Sequence, residues 1–472
     1  MLIEQLYTGC LAQGAYYIES DGVAAVIDPL RDTQAYTFLA ARSGARIAWV
    51  LETHFHADFV SGHLALAEAT GAQIVYGPTA KPAFPAHIAT DGEELALGSV
   101  FIRVLHTPGH TLESCSYLLL DADHRPVALF SGDTLLLGDV GRPDLAQKID
   151  AALTPAHLAG LLYDSLREKI LPLPGDIVVY PGHGAGSACG KNLSRATSDT
   201  LGNQKANNYA LQPSLSKEAF VEAVLTGLMP SPAYFPANVL RNISGAEAVE
   251  QVRARLKPLD PDSFLATARK RGAVLLDVRD PDTFAAGFVP GSWNIGIDGA
   301  FAPWAGALIP DLDTAILLIA PEERAEEAVT RLARVGLDNV PGYLAGGTGA
   351  WLASGGCLEH IVRVSPDGLA NLQLLHPDLQ LVDVRKQSEF DSEHIEGALN
   401  APLDYIDASI RQLDPARRVY LYCAGGYRSM IFASILRARG FSDVVDIKGG
   451  FAALKASGRF GVTEYVCPTT ML

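Results

Sequence analysis

Thr53-His54-Phe55-His56-Ala57-Asp58-Phe59 follows, after Glu52, the apolar run Ile47-Ala48-Trp49-Val50-Leu51. A short run so rich in β-branched, aromatic and aliphatic residues predicts a strand, so the side chains after it project from the end of a sheet. Two imidazoles and a carboxylate at alternating positions can converge there on a small volume, and together they form a donor set for a divalent cation. Phe59 closes the stretch with a side chain that ligates nothing.

Three further segments supply residues of the same type: His106-Thr107-Pro108-Gly109-His110-Thr111, Ser131-Gly132-Asp133-Thr134 and Tyr180-Pro181-Gly182-His183-Gly184. A lone histidine is more often structural than ligating. Four such segments in order, each at a predicted strand end with Gly or Pro nearby, point to a metal site. Between residue 1 and about 250, β-rich runs at 23–27, 47–51, 73–76, 127–130 and 177–180 alternate with helical or loop stretches, the pattern of an α/β sandwich. The polar stretch 193–209 carries no catalytic pattern. Met229-Pro230-Ser231-Pro232 and Phe235-Pro236 predict a rigid, extended segment near the first domain boundary.

Composition bounds the rest. A chain of 472 residues exceeds a single core and suggests about three domains. A formal net charge of −16 argues against nucleic acid or an anionic membrane as the main partner. No apolar run is long enough to span a bilayer, and the N-terminus lacks the basic and apolar regions of a signal peptide. The six cysteines (10, 115, 189, 357, 423 and 467) are scattered with no C-x-x-C pair, which fits a reducing cytoplasm better than a disulfide framework.

The second half contains a repeat. Leu276-Asp277-Val278-Arg279 reappears as Val382-Asp383-Val384-Arg385, and Gly291-Ser292-Trp293-Asn294 as Gly397-Ala398-Leu399-Asn400. Gly346-Gly347 with Trp351 matches Gly449-Gly450 with Leu454. Each copy is a small α/β domain, and the expected boundaries are 1–250, 251–357 and 358–472.

In the second copy, Tyr420-Leu421-Tyr422-Cys423-Ala424-Gly425-Gly426-Tyr427-Arg428-Ser429 predicts strand, tight loop and helix. A cysteine at that junction sits among backbone N–H groups, with the positive end of a helix beneath it, and both favour the nucleophilic thiolate. Four residues separate Cys423 from Arg428. In the first copy Ile319 stands opposite Cys423, and Glu322 and Glu323 occupy the loop, so that copy is expected to be catalytically dead.

The four motifs of the first block resemble the successive metal motifs of the metallo-β-lactamase superfamily, whose fold is an αββα sandwich. In its dinuclear members a histidine follows the aspartate of the first motif. Phe59 takes that place here, which implies a one-metal site. Within the superfamily the pattern is similar to the persulfide dioxygenases, and the resemblance implies one Fe(II) per chain held by His54, His110 and Asp133. His56, Asp58 and His183 would then orient ligands or bound water through hydrogen bonds. Gly141-Arg142-Pro143-Asp144 resembles a segment beside the thiol pocket, so Arg142 is expected to meet a substrate carboxylate or phosphate.

The Cys423 segment resembles the active rhodanese domain, whose loop is shorter than the five-residue loop of cysteine phosphatases. The resemblance implies Cys423 as sulfur carrier, with Arg428, Gly425 and Gly426 binding the transferred group. A metallo-β-lactamase domain followed by two rhodanese-like α/β domains, the first inactive, resembles the persulfide dioxygenase–sulfurtransferase fusions of sulfide detoxification. Glutathione or coenzyme A persulfide, O2 and sulfite are the implied partners, with a homo-oligomer as the expected assembly. Two alternatives remain at this stage: a dinuclear thioester hydrolase of the glyoxalase II type with an accessory rhodanese, and a non-catalytic sulfane-sulfur carrier or sensor.

Overall fold

The computed structural model describes residues 1–145, 153–191, 193–376 and 378–466. Cys467 lies outside them. Two compact units divide the chain: Met1–Gln251 with Leu332–Gly336, and Val252–Arg331 with Leu337–Leu472.

The first unit is built on two six-stranded sheets. One runs, strand beside strand, through Leu2–Thr8, Gln13–Ser20, Val23–Ile27, Arg46–Glu52, Gln73–Tyr76 and His87–Ile88. The other runs from Asp199–Thr200 through Val178–Pro181, Pro126–Gly132, Cys115–Leu120 and Val100–His106 to Glu94–Leu97. Alternation along Cys115–Leu120 shows how the layers form. Tyr117 and Leu119 enter a core shared with Ile18, Ile27 and Leu51 of the first sheet, whereas Leu118 and Leu120 join a second core with Leu162 and Phe220 of the helices Pro155–Ser165 and Lys217–Leu225. Helices Gln34–Ser43 and His63–Thr70 pack on strand Arg46–Glu52, completing the αββα sandwich.

All four candidate motifs sit where strands end. Pro126–Gly132 pairs in parallel with Val178–Pro181, so Asp133 and His183 leave the sheet at the same edge. Near the first boundary the expected extended segment gives way to a helix, Phe235–Ser244, with Pro236 in its first turn. Proline is tolerated there because its missing N–H has no intrahelical partner.

The second unit carries two five-stranded parallel sheets of identical strand order. One is Lys257–Leu259, Gly342–Leu344, Ile316–Ile319, Val274–Asp277 and Trp293–Asn294; the other is Val362–Val364, Val444–Ile447, Val419–Tyr422, Gln380–Asp383 and Leu399–Asn400. The repeat extends to side-chain bonding. Asp277 and Asp383 are buried and pair with Arg279 and Arg385, while the Asn294 and Asn400 amides each donate to the carbonyls of their own Asp and Arg. These bonds tie each sheet to its first crossover in the same way.

Candidate metal centre and sulfur loop

Asp28, held at a positive φ of 49° after strand Val23–Ile27, anchors the first motif. One of its oxygens accepts from the Thr53 N–H at 2.7 Å and the other from the Thr53 hydroxyl at 2.8 Å. With its proton given to Asp28, the Thr53 oxygen accepts from His54 Nδ1 at 2.9 Å, which leaves His54 Nε2 free to ligate. His110 is fixed in the same sense, its Nδ1 donating to the Arg142 carbonyl at 2.8 Å. Asp133 gives Oδ1 to His183, while its buried Oδ2 has no partner and lies 3.6 Å from His110 Nε2. His54, His110 and Asp133 thus offer ligand atoms within 4.8 Å of one another.

Electrostatics match that assignment. Burial, followed by the neighbouring imidazoles His56 and His110, holds His54 well below the usual histidine range, in the neutral form that binds metal. Burial also lowers His110, against the pull of Asp133. Asp133 is lowered despite burial, because His183, His110 and His54 surround it. Two neutral imidazoles and a carboxylate carrying an orphaned oxygen fit a single divalent cation with open positions.

Two other groups satisfy the same distance criterion among the described residues: Asp58, His183 and Cys189, and Asp28, Glu52 and His56. Each brings an imidazole beside carboxylates, and Asp58 Oδ1, Glu52 Oε2 and both His56 nitrogens are buried without a hydrogen-bond partner. His183 reaches Asp133 through Nδ1 at 2.7 Å and Asp58 through Nε2 at 2.8 Å. Burial opposes its charge, but the Asp133 and Asp58 carboxylates hold it protonated well above the usual range. Burial pushes the Cys189 thiol up to about 12. His56 lies 3.1 Å from Asp28 and 3.2 Å from Glu52. Burial again opposes charge, yet Asp28 and Glu52 bring it up to about 10. Glu52 falls to about 2 against its own burial, through His56 and His63.

Phe59 is fully buried and stacks on His56 at 4.3 Å. It covers the charged ring instead of ligating. His63 is turned away, with Nδ1 3.1 Å from Glu52 and its ring against Phe84. His183 joins Asp58 to the candidate ligand Asp133, while the His56 ring lies 4.2 Å from that of His54.

The expectation for Arg142 fares differently. Its guanidinium is buried and holds Asp144 with two bonds of 2.7 and 2.8 Å, while also donating to the carbonyls of Ala188 and Met229. The segment serves the site through the Arg142 carbonyl on His110. Arg142→Ala is expected to destabilise the first unit by about 3 kcal/mol, since it strands a largely buried carboxylate. In denaturant unfolding the loss should appear as a lower midpoint, with substrate KM changed less than twofold. A tenfold KM rise at unchanged stability would restore the substrate role.

A cavity of about 300 Å³ opens beside His110, lined chiefly by apolar side chains including Phe55, Leu112, Val239 and Ile243, with Lys81 at its wall.

In the second unit Cys423 follows strand Val419–Tyr422 and precedes helix Tyr427–Ala438. The Gly426 N–H donates to Cys423 Sγ at 3.1 Å, and Gly426 needs its φ of 106° to turn that donor inward. Arg428 forms a two-pronged pair with Glu389 at 2.6 and 2.8 Å. Gly425 stays exposed at the loop tip. In the first copy Ile319 ends strand Ile316–Ile319 with no thiol, and Arg324 is paired with Asp298 and Glu327. Cys10, Cys115, Cys189, Cys357 and Cys423 are all free thiols.

Several supporting residues carry no motif: Asp28, Glu52, Glu389 and Asn242. The Asn242 amide donates to the carbonyls of His56 and Phe59, both at 2.8 Å, and its oxygen accepts from Ser61. The one local signal was an aspartate just after a predicted strand, at Asp28.

Comparison with known proteins agrees with this architecture. Residues 8–183 match the metallo-beta-lactamase superfamily, and residues 260–354 and 366–457 match the rhodanese-like domain. A solved metallo-beta-lactamase from Staphylococcus aureus subsp. aureus COL superposes with a TM-score of 0.66 at 30% identity, covering 73% of this chain and 99% of that one. The hydroxyacylglutathione hydrolase of Anaeromyxobacter dehalogenans is 31% identical over 271 residues, 56% of this chain and 94% of that protein. The mitochondrial persulfide dioxygenase ETHE1 of Homo sapiens is 30% identical over 222 residues, 46% of this chain and 78% of that protein. Other relatives are matched over as little as 57% of their length. The chain is a metallo-β-lactamase-fold protein. More particularly, it belongs to the members that carry two rhodanese-like domains after the metal-binding fold. No helix among the described residues is long and apolar enough to cross a membrane.

Proposed function

We propose that the first unit is a mononuclear non-haem Fe(II) dioxygenase of low-molecular-weight thiol persulfides, and that Cys423 is the sulfur carrier of a coupled sulfurtransferase. The observation that carries this reading is the placement of His183. Its ring bonds to both Asp58 and Asp133, carboxylates a second metal would draw on, beside a two-histidine, one-carboxylate triad. Such a triad has the open coordination positions an oxygenase requires, whereas hydrolytic zinc needs only one for water.

Iron(II) bound by His54, His110 and Asp133 would supply activation of O2 and an anchor for the persulfide sulfur. The chain's own contribution is positional. The apolar cavity beside His110 takes the thiol's carbon arm and excludes water, and Lys81 offers a cation to an anionic end, as in glutathione or coenzyme A persulfide. The balanced reaction is R–S–SH + O2 + H2O → R–SH + SO3²⁻ + 2H⁺. Cys423 then accepts the outer sulfur of a further persulfide, releasing R–SH. Sulfite attacks that sulfur, so the Cys–S bond breaks and thiosulfate leaves. The Gly426 N–H stabilises the sulfur anion at both stages.

An oxygen-electrode assay on glutathione and coenzyme A persulfides tests the first step, with one O2 expected per persulfide and sulfite as product. Thioester hydrolysis without O2 uptake would replace this reading by that of the hydroxyacylglutathione hydrolase relatives.

Phe59→His is expected to raise second-metal content on zinc reconstitution from near zero toward one extra ion. That metal must displace the proton held by His183, so its occupancy should be higher at pH 8 than at pH 6. Unchanged metal content at both values would show that the missing ligand is not what keeps the site mononuclear.

A further inference from the structure

We propose that the first repeat, which has Ile319 in place of the loop cysteine, is the positioning scaffold of the sulfur loop, and that it acts through Tyr427. This rests on the reading of Cys423 as sulfur carrier.

Tyr427 stands between Gly426, whose N–H meets the Cys423 sulfur, and Arg428, which is held by Glu389. Its hydroxyl donates to the Gly296 carbonyl of the first repeat at 2.7 Å. Its ring lies over two glycines of that repeat. A Cβ on Gly299 would come within 2.4 Å of the ring carbons Cε2 and Cζ, and one on Gly296 within 3.3 Å of Cε2. Neither glycine has a positive φ, so the tyrosine ring accounts for them and the backbone does not. Counting from Asn294 and Asn400, which make the same bonds in both copies, the matching residues of the second repeat are Pro402 and Tyr405. The glycine cradle is therefore no part of the shared fold.

A second tie lies on the same helix face. Ser434, seven residues and about two turns after Tyr427, accepts from the Asn294 N–H at 2.8 Å. Ile431, between them on that face, is fully buried. Arg363 adds a third tie by pairing with Asp282 of the first repeat and Asp446 of its own.

With only four residues between Cys423 and Arg428, the first turn of the helix sets where the Gly426 N–H points. Glu389 fixes that turn from within the active repeat, and Tyr427 fixes it from the first. A repeat without a thiol at the loop position keeps a role by aiming its neighbour's.

The test is sulfur transfer from thiosulfate to cyanide by the full chain. Tyr427→Phe removes one hydroxyl and should lower kcat about fivefold with donor KM within twofold. Gly299→Ala displaces the ring and should cost tenfold or more. Combined with Tyr427→Ser, which removes the ring, Gly299→Ala should add nothing to the loss that Tyr427→Ser causes alone. Alkylation of Cys423 by iodoacetamide, followed on its own peptide by mass spectrometry, should fall in parallel. Wild-type kcat in both single variants, or an additive double variant, overturns the proposal. Thermal melts establish folding, and if Gly299→Ala does not fold, Tyr427→Phe decides alone. No Cys423-dependent transfer in the unmodified chain would instead remove the reading beneath it.

Discussion

Asp133→Asn is expected to empty the metal centre and lower persulfide-dependent O2 uptake by about a thousandfold or more, the several kcal/mol that a bound metal contributes to such chemistry. The side chain keeps its size, so the sandwich should remain folded. Its two oxygens have different tasks: Oδ1 accepts from His183, and the orphaned Oδ2 faces His110 Nε2. An amide cannot do both. With its oxygen toward His183 it presents a non-ligating NH2 group to the metal, and flipped over it sets N–H against the N–H of a protonated imidazole. Iron analysis should read near zero, with sulfur transfer from thiosulfate to cyanide within twofold of wild type. Retained iron and retained uptake would place the ligand set elsewhere.

Cys423→Ser should give the complementary result. A hydroxyl is a poor sulfur acceptor, so thiosulfate formation should fall at least about a hundredfold, while O2 uptake stays unchanged and sulfite accumulates. The loop itself should persist. Its shape is set by the Arg428–Glu389 pair, and the Phe451 N–H donates to the Cys423 backbone carbonyl at 2.6 Å. Loss of O2 uptake in this variant would show that the two sites are not separable units.

The candidate ligands were legible as a pattern because each lies at a strand end in a local motif, and motif order maps onto topology. Asp133 and His183 meet because the strands before them are parallel neighbours. The strands Leu2–Thr8 and Gln13–Ser20 were harder to see, since polar and small residues interrupt their apolar positions. Arg142 illustrates the limit of a motif. Its segment is in the expected place, but a carbonyl serves the site while the guanidinium is consumed by Asp144, Ala188 and Met229. No local pattern distinguishes those two uses.

The groups that set charge were less visible still. Asp28 and Glu52 read as strand-end residues, and only the folded chain shows them flanking His56. Phe59 began as an absent ligand. In the structure it is the ring that covers His56, which lies between the Asp28 and Glu52 carboxylates. The partner of Tyr427 lies 131 residues away, beyond any local reading.

Metal stoichiometry tied to activity tests the central claim most directly. Metal-free chain titrated anaerobically with Fe(II), and separately with Zn(II), should saturate at one metal per chain, with O2 uptake on glutathione persulfide restored by iron alone. Saturation at two metals per chain, with zinc supporting thioester hydrolysis and iron supporting no O2 uptake, would contradict it.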